Sequence, residues 1–431
     1  MKCSALFFLL SSISSAVLAA PHAAAASGDL KADADKVEVL DDSPGSAGTW
    51  TVIVDNDDPR SLEELMAEMG NIQVKHIYNN TAFKGFSGSL SNASVSKMSV
   101  MSGLKTFEPE LEVKLLDVQV NAPWGLQRIS QGDAIANPPT AEASIAAFDF
   151  KYQFNGTTAD LGKGVDIYVV DTGVNVDHID FDGRAKFGFT IDTEQDDVGH
   201  GTHCAGTAGS TTFGIAKAAN IIAVKVLSTD SGSTSDILKG IDFVIQNHVK
   251  RSKEAGFAGS VASMSLGSAV RSTSLDEAVI QASAAGIHFS VAAGNENQDA
   301  CNSSPAGASQ SSNAIAVGAT TIDDNRASFS NFGKCTTIFA PGQDVTSTWI
   351  GGTNKINTIS GTSMATPHVT GLLAYLLSQN PDLKTDTQGM KKLLLSTAGK
   401  LSTDKGTVPF ANNGFTADAP ARKAKRDFAR I

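Results

Sequence analysis

The sequence predicts an α/β fold, a mostly parallel sheet with helices on both faces, preceded by a small α+β domain. In the larger, C-terminal part, short apolar runs typical of buried strands alternate with helical patterns, as in sheets whose strands run the same way. The composition agrees, since aromatic residues make up 6% of the chain and glycines number 39. A chain of 431 residues holds two or three domains of ordinary size.

The first residues have the features of a secretory signal peptide. Met1 and Lys2 precede an apolar run from Ala5 to Leu10, and Ala19 and Ala20 fit a small-residue cleavage site. We predict a signal peptide over 1–20 and a disordered spacer over 21–48, which is rich in Ala, Asp, Ser and Gly. No later apolar run is long enough to span a bilayer. We therefore expect a secreted or vacuolar protein of the secretory pathway with no membrane partner.

Residues 49–118 are predicted to form the small domain. Trp50–Val54 alternates like a strand, and a helical pattern follows over Leu62–Met69. Two strand-like runs, a second short helix and a last strand over Phe107 and Leu111–Leu116 complete the pattern. The resulting order βαββαβ is that of a ferredoxin-like unit.

Residues 119–431 are predicted to form the large domain. Its apolar strands are expected at 165–170, 221–226, 261–266, 287–292, 314–319 and 336–339, with helices at 236–249 and 275–285. This alternation indicates a mostly parallel sheet covered on both faces. The basic, Ala-rich end at 422–430 is interpreted as a solvated or trimmed tail.

Two polar residues follow buried strands of this sheet. Asp171 comes directly after the strand 165–170, and Asn295 follows the strand 287–292. The carboxyl ends of parallel strands are where open α/β sheets place their sites, although either residue alone is an ordinary turn residue. The Asn295 amide is a natural donor to an oxyanion.

Ser363 lies among small residues just before the apolar, helix-period run 364–377. A helix start offers unpaired N–H groups and a positive dipole end, so a serine there can attack a carbonyl while its own N–H receives the oxyanion. Taken alone, the same residues are an ordinary helix cap.

The third candidate is a histidine in the glycine-rich stretch 199–207. We take His203 as the candidate base, because small neighbours keep a ring accessible. His200 and His203 could otherwise form a metal pair, but no acidic third ligand follows at a useful distance, so we predict no metal site.

Cysteine parity and sequons complete the local signals. Cys3 leaves with the signal peptide, so Cys301 and Cys335 are expected to pair in an oxidising compartment, and Cys204 stays free. Candidate glycosylation sites are Asn79, Asn92, Asn155 and Asn302.

The chain order Asp, His, Ser is that of subtilisin, and the chain resembles the subtilisin-like serine proteases over about residues 49–400. The motifs that carry the resemblance are Val170–Gly173, Gly199–His203, Ala292–Asn295 and Gly361–His368. Gly286–Phe289 and Glu296–Asn302 make the chain most similar to the proteinase K branch, and within it to the cerevisin or vacuolar protease B type.

The resemblance implies a broad-specificity serine endopeptidase that cleaves polypeptides through an acyl-enzyme on Ser363. His203 is its general base, Asp171 orients the imidazole, and Asn295 with the Ser363 N–H forms the oxyanion hole. The implied pocket walls are Ser265, Leu266, Gly267, Ala292, Ala293 and Gly294. The implied outer strand, which pairs with the substrate backbone, is Gly232, Ser233 and Thr234.

The resemblance also implies a monomeric zymogen. The small domain would be a propeptide that acts as intramolecular chaperone and inhibitor, with its tail Glu112–Leu116 in the cleft before cleavage near 116–120. Thr337 stands where proteinase K has an acidic calcium ligand, and a hydroxyl replaces a carboxylate poorly. We expect no required cofactor and leave structural calcium open.

Other classes fit the sequence less well. A net charge of −11 disfavours a nucleic-acid partner. The two Asp-Thr/Ser-Gly copies at Asp171 and Asp230 are too close for the two β lobes of an aspartic protease. An α/β-hydrolase needs Gly-x-Ser-x-Gly and the order Ser, Asp, His, but position 365 is Ala. An inactive subtilase-like binding protein would lack a triad member.

Overall fold

The computed structural model describes residues 46–70, 72–110, 116–229 and 231–415. The chain divides into two compact units between Leu111 and Glu112. The predicted signal peptide, spacer residues 21–45, residues 112–115 of the predicted propeptide tail and the basic tail lie outside the described residues. Spacer residues 46–48 belong instead to the first strand.

The small unit has the predicted order βαββαβ. Its elements are β1 (Ser46–Val54), α1 (Leu62–Met69), β2 (Ile72–Asn79), β3 (Lys84–Ser91), α2 (Asn92–Met98) and β4 (Leu104–Pro109). The antiparallel sheet has the order β2-β3-β1-β4. Apolar side chains of both helices share one core with Val52, Val54 and Phe86. The last strand was predicted partly at 111–116, but it ends at Pro109.

The larger unit contains thirteen strands and seven α-helices among its described residues. They are β5 (Leu116–Ala122), α3 (Trp124–Ile129), α4 (Glu142–Ile145), β6 (Phe150–Asn155), β7 (Val165–Asp171), β8 (Ala185–Thr190), α5 (His200–Gly209), β9 (Asn220–Lys225), α6 (Thr234–Arg251), β10 (Gly259–Met264), α7 (Thr273–Ala284), β11 (His288–Ala292), β12 (Ile315–Thr320), β13 (Ile338–Pro341), β14 (Val345–Thr348), β15 (Ile356–Ile359), α8 (Thr362–Gln379), α9 (Thr387–Thr397), β16 (Gly399–Thr403) and β17 (Gly406–Phe410).

The mostly parallel sheet is confirmed. Nine strands lie in the order β16-β17-β13-β12-β11-β10-β7-β9-β8, and every neighbouring pair except β16–β17 is parallel. Alternate residues of β7 enter two separate cores. Ile167 and Val169 pack with α5 and α8, whereas Tyr168 and Val170 pack with α6 and α7. Helices therefore cover both faces, as the continuous apolar strands indicated.

The large unit begins earlier in the chain than residue 119, where the sequence placed its start. Residues 116–118 were predicted to belong to the small domain, but they start β5, which pairs antiparallel with β6 from Leu116↔Asn155 to Ala122↔Phe150. The partner strand lies about thirty residues further along the chain, so no local pattern shows the pairing.

Cys301 and Cys335 form the expected disulfide, with an Sγ–Sγ distance of 2.14 Å, and Cys204 is a free, buried thiol. Of the four sequon asparagines, Asn79, Asn92 and Asn302 are exposed and Asn155 is half-buried. No helix among the described residues is long and apolar enough to cross a membrane.

Candidate active site

The candidate residues meet at one edge of the sheet. Strands β7, β10 and β11 are neighbours and run in the same direction, so their carboxyl ends lie side by side. Asp171 is the last residue of β7, Ser265 follows β10, and Asn295 follows β11. Helix α8 begins at Thr362, which makes Ser363 its second residue. This is the edge at which open α/β sheets bind ligands.

A cleft of about 530 Å³ opens at this edge. Eight of the residues predicted for the site line it: Gly232, Ser265, Leu266, Gly267, Ala292, Gly294, Asn295 and Ser363. Thr172, His200, Glu296, Ser303, Ser304 and Trp349 also line it and were not predicted. All of these except His200 lie in loops, for which the sequence carries no periodic signal.

The structure corrects the choice of histidine. His200, the first residue of α5, lines the cleft, and its Nδ1 lies 2.8 Å from Asp171 Oδ1. Its side chain is 27% exposed, whereas the Asp171 side chain is 1% exposed. Because Nδ1 engages Asp171, Nε2 is the ring nitrogen available to a partner in the cleft.

The prediction that His203 is the base is wrong. His203 lies one turn inside α5 and is fully buried, its Nε2 is 3.0 Å from the Val345 carbonyl oxygen, and Trp349 packs against its ring. Burial lowers the pKa of His203 to about 3. The two histidines differ in their surroundings, because His200 at the first position of α5 reaches the cleft whereas His203 packs against Val345 and Trp349. Gly199, with φ 97°, marks the start of α5.

Electrostatics at His200 favour a proton on the ring. Burial opposes the charge, but the Asp171 carboxylate, through its charge and hydrogen bond, holds the pKa of His200 well above the usual value of 6.5. A general base works only when neutral, so a raised pKa moves the activity limb toward higher pH.

We therefore expect kcat/KM to rise with pH through a midpoint above 6.5, and activity to be highest from neutral to alkaline pH. Hydrolysis of a peptide anilide across the pH range measures the midpoint. An Asp171→Asn enzyme should show a lower midpoint, because the carboxylate that raises the pKa is gone. A midpoint near pH 4 in the unchanged enzyme would contradict His200 as the base.

Ser363 is held at the start of α8 by paired hydrogen bonds to Ser265. Its Oγ donates to the Ser265 carbonyl oxygen at 3.0 Å, and Ser265 Oγ donates to the Ser363 carbonyl oxygen at 2.8 Å. The hydroxyl proton thus points at the Ser265 carbonyl oxygen and must be redirected before it can pass to His200. Pro367 lies within α8, and the helix continues past it to Gln379.

Asn295 is oriented by the residue before Ser363. Its Oδ1 accepts from the Thr362 N–H at 2.8 Å and from the Thr362 hydroxyl at 2.9 Å. An amide whose oxygen is engaged in this way presents its NH₂ group elsewhere. Asn295 lines the same cleft as Ser363, so the NH₂ group is available to an anionic ligand there.

Three other predicted residues do not line the cleft. Ser233 caps α6 by accepting from the Asp236 N–H, and Thr234 is the first helical residue, so neither belongs to an outer strand. Ser233 with Asp236 is an N-cap pattern, which the sequence contained. Ala293 is fully buried, and its carbonyl oxygen accepts from Asn331.

The free thiol of Cys204 lies next to the His200 ring, with Sγ 4.0 Å from Nδ1. Ligand atoms of Asp171, His200 and Cys204 lie within 4.8 Å of one another. Burial raises the pKa of Cys204. The Thr337 hydroxyl accepts from the Ala316 N–H at 3.2 Å.

Comparison with known proteins agrees with this geometry. The model of the subtilase family matches residues 162–417, which include all three candidate triad residues. A subtilisin-like serine protease of Cochliobolus lunatus is 48% identical over 323 residues, which are 72% of this chain and 61% of that protein. Alkaline protease 2 of Aspergillus fumigatus is 45% identical over 350 residues, 78% of this chain and 66% of its own length.

The chain therefore spans somewhat less than two thirds of the length of these relatives. Among solved structures, a cold-adapted subtilisin-like serine proteinase matches with a TM-score of 0.57 and 40% identity. The match covers 68% of this chain and 98% of that one.

Proposed function

The chain belongs to the subtilase family, and from this premise we propose that it is a serine endopeptidase that cleaves polypeptides through an acyl-enzyme on Ser363. One observation carries the proposal. A buried carboxylate, Asp171, holds the imidazole of His200 at the rim of a cleft that also contains a serine at a helix start.

Each side chain has a defined part in the reaction. Ser363 Oγ attacks the scissile carbonyl carbon while His200 Nε2 takes the hydroxyl proton, and Asp171 stabilises the imidazolium. The oxyanion accepts hydrogen bonds from the Ser363 N–H and the Asn295 NH₂ group. His200 then donates its proton to the leaving amine, and water repeats the sequence to release the acyl group.

The cleft supports an extended peptide substrate. Ser265–Gly267 follow β10 and line the cleft, so their backbone can pair with that of an extended substrate. Gly232 also lines the cleft. Its walls consist largely of small, uncharged residues, which supports broad specificity. The proposed chemistry requires no cofactor, and the hydroxyl of Thr337, which stands in place of a carboxylate, gives no support for calcium there.

We further propose that the small unit is an inhibitory propeptide, removed by the enzyme itself, and that the protein acts as a monomer. The protein would enter the secretory pathway and reach the vacuole or the cell exterior. It would carry glycans on the exposed sequon asparagines. Polypeptides are the proposed partners, and the net charge of −11 gives no support for binding nucleic acid.

Two inhibitors distinguish the proposed enzyme from an aspartic protease, whose Asp-Thr/Ser-Gly motif Asp171 also matches. A fluorophosphonate probe should label Ser363 and abolish hydrolysis of an unstructured protein, whereas pepstatin should leave hydrolysis unchanged. The reverse pattern would favour the aspartic protease. The absence of both labelling and hydrolysis would favour an inactive binding protein.

We expect Asn295→Ala to lower kcat by roughly 10²–10³-fold with little change in KM, a size taken from loss of the equivalent donor in subtilisin. The amide faces charge that exists only in the tetrahedral state, so the substrate complex loses little. Steady-state kinetics on a peptide anilide separates the two constants. Equal changes in kcat and KM would mean that Asn295 holds the structure rather than the oxyanion.

A further inference from the structure

Asn331 is a fully buried amide whose side chain bonds to a single loop. Its Nδ2 donates to the Ala293 carbonyl oxygen at 2.9 Å, to Glu296 Oε2 at 2.7 Å and to Ser303 Oγ at 3.3 Å. Its Oδ1 accepts from the N–H groups of Glu296 at 3.1 Å and Gln298 at 2.9 Å. All five partner atoms belong to residues 293–303.

This loop carries the oxyanion donor and part of the cleft wall. Asn295 lies between Ala293 and Glu296, two partners of the Asn331 amide. At the C-terminal end of the loop, Ser303 and the following Ser304 line the cleft. The Asn331 N–H also donates to the Gly294 carbonyl oxygen at 3.0 Å. The amide therefore fixes the backbone immediately before and after Asn295.

The neighbours of Asn331 reinforce the same loop. The Phe332 N–H donates to the Gln298 carbonyl oxygen, and the Phe332 carbonyl oxygen accepts from the Ala300 N–H. The disulfide then joins Cys301 to Cys335. The segment 331–335 is thus a brace that holds the loop 293–303 by side chain, backbone and covalent bond.

The fit around the amide is close. Gly294 has φ +104°, and a Cβ at this position would overlap Asn331 Nδ2 and lie 2.6 Å from Glu296 Oε2. Asn295 in turn is held by Thr362, next to Ser363. A shift of the loop would therefore move the donor relative to the nucleophile.

We propose that Asn331 is a positioning residue that sets the Asn295 donor and the adjoining cleft wall for the reaction. This inference rests on the proposed function. The chemistry requires an amide, because both a donor group and an acceptor are used. An aspartate keeps the acceptor but loses the donors, and it sets a carboxylate against Glu296 and the Ala293 carbonyl oxygen.

A double-mutant cycle tests the proposal with four chains: unchanged, Asn331→Asp, Asn295→Ala and the double variant. Each is expressed as the full chain with a recognition sequence for an unrelated protease within residues 111–115, so that all four are matured in the same way before kcat is measured. Misplacement of a catalytic group by about 1 Å costs about 10²-fold, so we expect Asn331→Asp to lower kcat by about that factor. In the Asn295→Ala background the same change should cost less than roughly 3-fold, because the donor it positions is absent. Fully additive losses would overturn the proposal.

Two further variants separate positioning from folding. Adding Glu296→Gln to Asn331→Asp exchanges donor and acceptor between positions 331 and 296. The side chain at 296 then donates to the one at 331, and kcat should be restored at least partly. Asn413→Asp is the matched control, since Asn413 is also buried and donates to a backbone carbonyl oxygen, that of Gln153, away from the cleft. It should lower the melting temperature without changing kcat.

Glu296→Ala covers the case in which Asn331→Asp does not fold, because Glu296 is exposed. It removes one acceptor of the amide, and its loss of kcat should also disappear in the Asn295→Ala background. A loss that persists there would overturn the proposal. Fluorophosphonate labelling of the unchanged chain is measured first. Absent labelling would refute the proposed function, whereas labelling with additive losses would refute only the role of Asn331.

Discussion

His200→Ala should lower kcat by roughly 10⁶-fold, the size of the loss when the base of subtilisin is removed. The expectation follows from geometry, because His200 both bonds to Asp171 and reaches the cleft that holds Ser363. The residual rate should still exceed that in water, since the oxyanion donors remain. The fold should persist, because the ring is partly exposed at the first position of α5.

His203→Gln is the matched control. Its amide can still donate to the Val345 carbonyl oxygen, which His203 Nε2 contacts in the core. We expect a lower melting temperature, because a fully buried ring is lost, and a kcat within about tenfold of the unchanged enzyme. A folded His203→Gln chain with a 10⁶-fold loss, beside an active His200→Ala chain, would restore His203 as the base.

Slow variants would mature slowly if the enzyme processes itself. All three chains should therefore carry a recognition sequence for an unrelated protease within residues 111–115. Cleavage there yields comparable enzymes, and circular dichroism then establishes that each is folded before kcat is compared.

The parts of the site that lie on strands could be predicted from the sequence. Val165–Val170 is apolar except for Asp166, so it indicated a buried strand, and the alternation with helices made that strand parallel. The residue at its end was therefore expected at the carboxyl edge of the sheet. The same reasoning placed Asn295 after β11. Ser363 was found because the apolar helical pattern after it is long and begins abruptly.

The choice between two histidines could not be made in that way. His200 and His203 lie three apart and occupy one helix, so both face the same general direction. What separates them is where α5 begins and what packs over its second turn. Residue periodicity does not show where α5 begins. The element that packs over its second turn is β14, which lies about 140 residues further along the chain.

Tertiary contacts set the remainder of the site. Asn331 lies in a polar turn, and nothing local indicates that its amide enters a loop more than thirty residues upstream. Ser233 and Thr234 show the opposite error. Their helix-capping pattern was visible, but the resemblance to an outer substrate strand was given priority over it.

Ser363→Ala should abolish both hydrolysis of added substrates and maturation of the chain. The change replaces a hydroxyl by hydrogen at a half-buried helix start, so no core volume is lost and the fold should persist. Only the hydrogen bond from Oγ to the Ser265 carbonyl oxygen disappears. If the chain cuts itself, the folded variant should keep its small unit and run at precursor mass in a host that lacks other proteases.

Ser360→Ala is the matched control for this experiment. Ser360 is exposed and bonds to Asp344 rather than to cleft residues, so this variant should mature normally. N-terminal sequencing of the matured control should place the cut at or before Leu116. Leu116 is the start of the range 116–120 predicted from the sequence, and a cut at 117–120 is not expected because it would divide β5 while it is paired with β6. A Ser363→Ala chain that matures in such a host would show that another nucleophile removes the small unit.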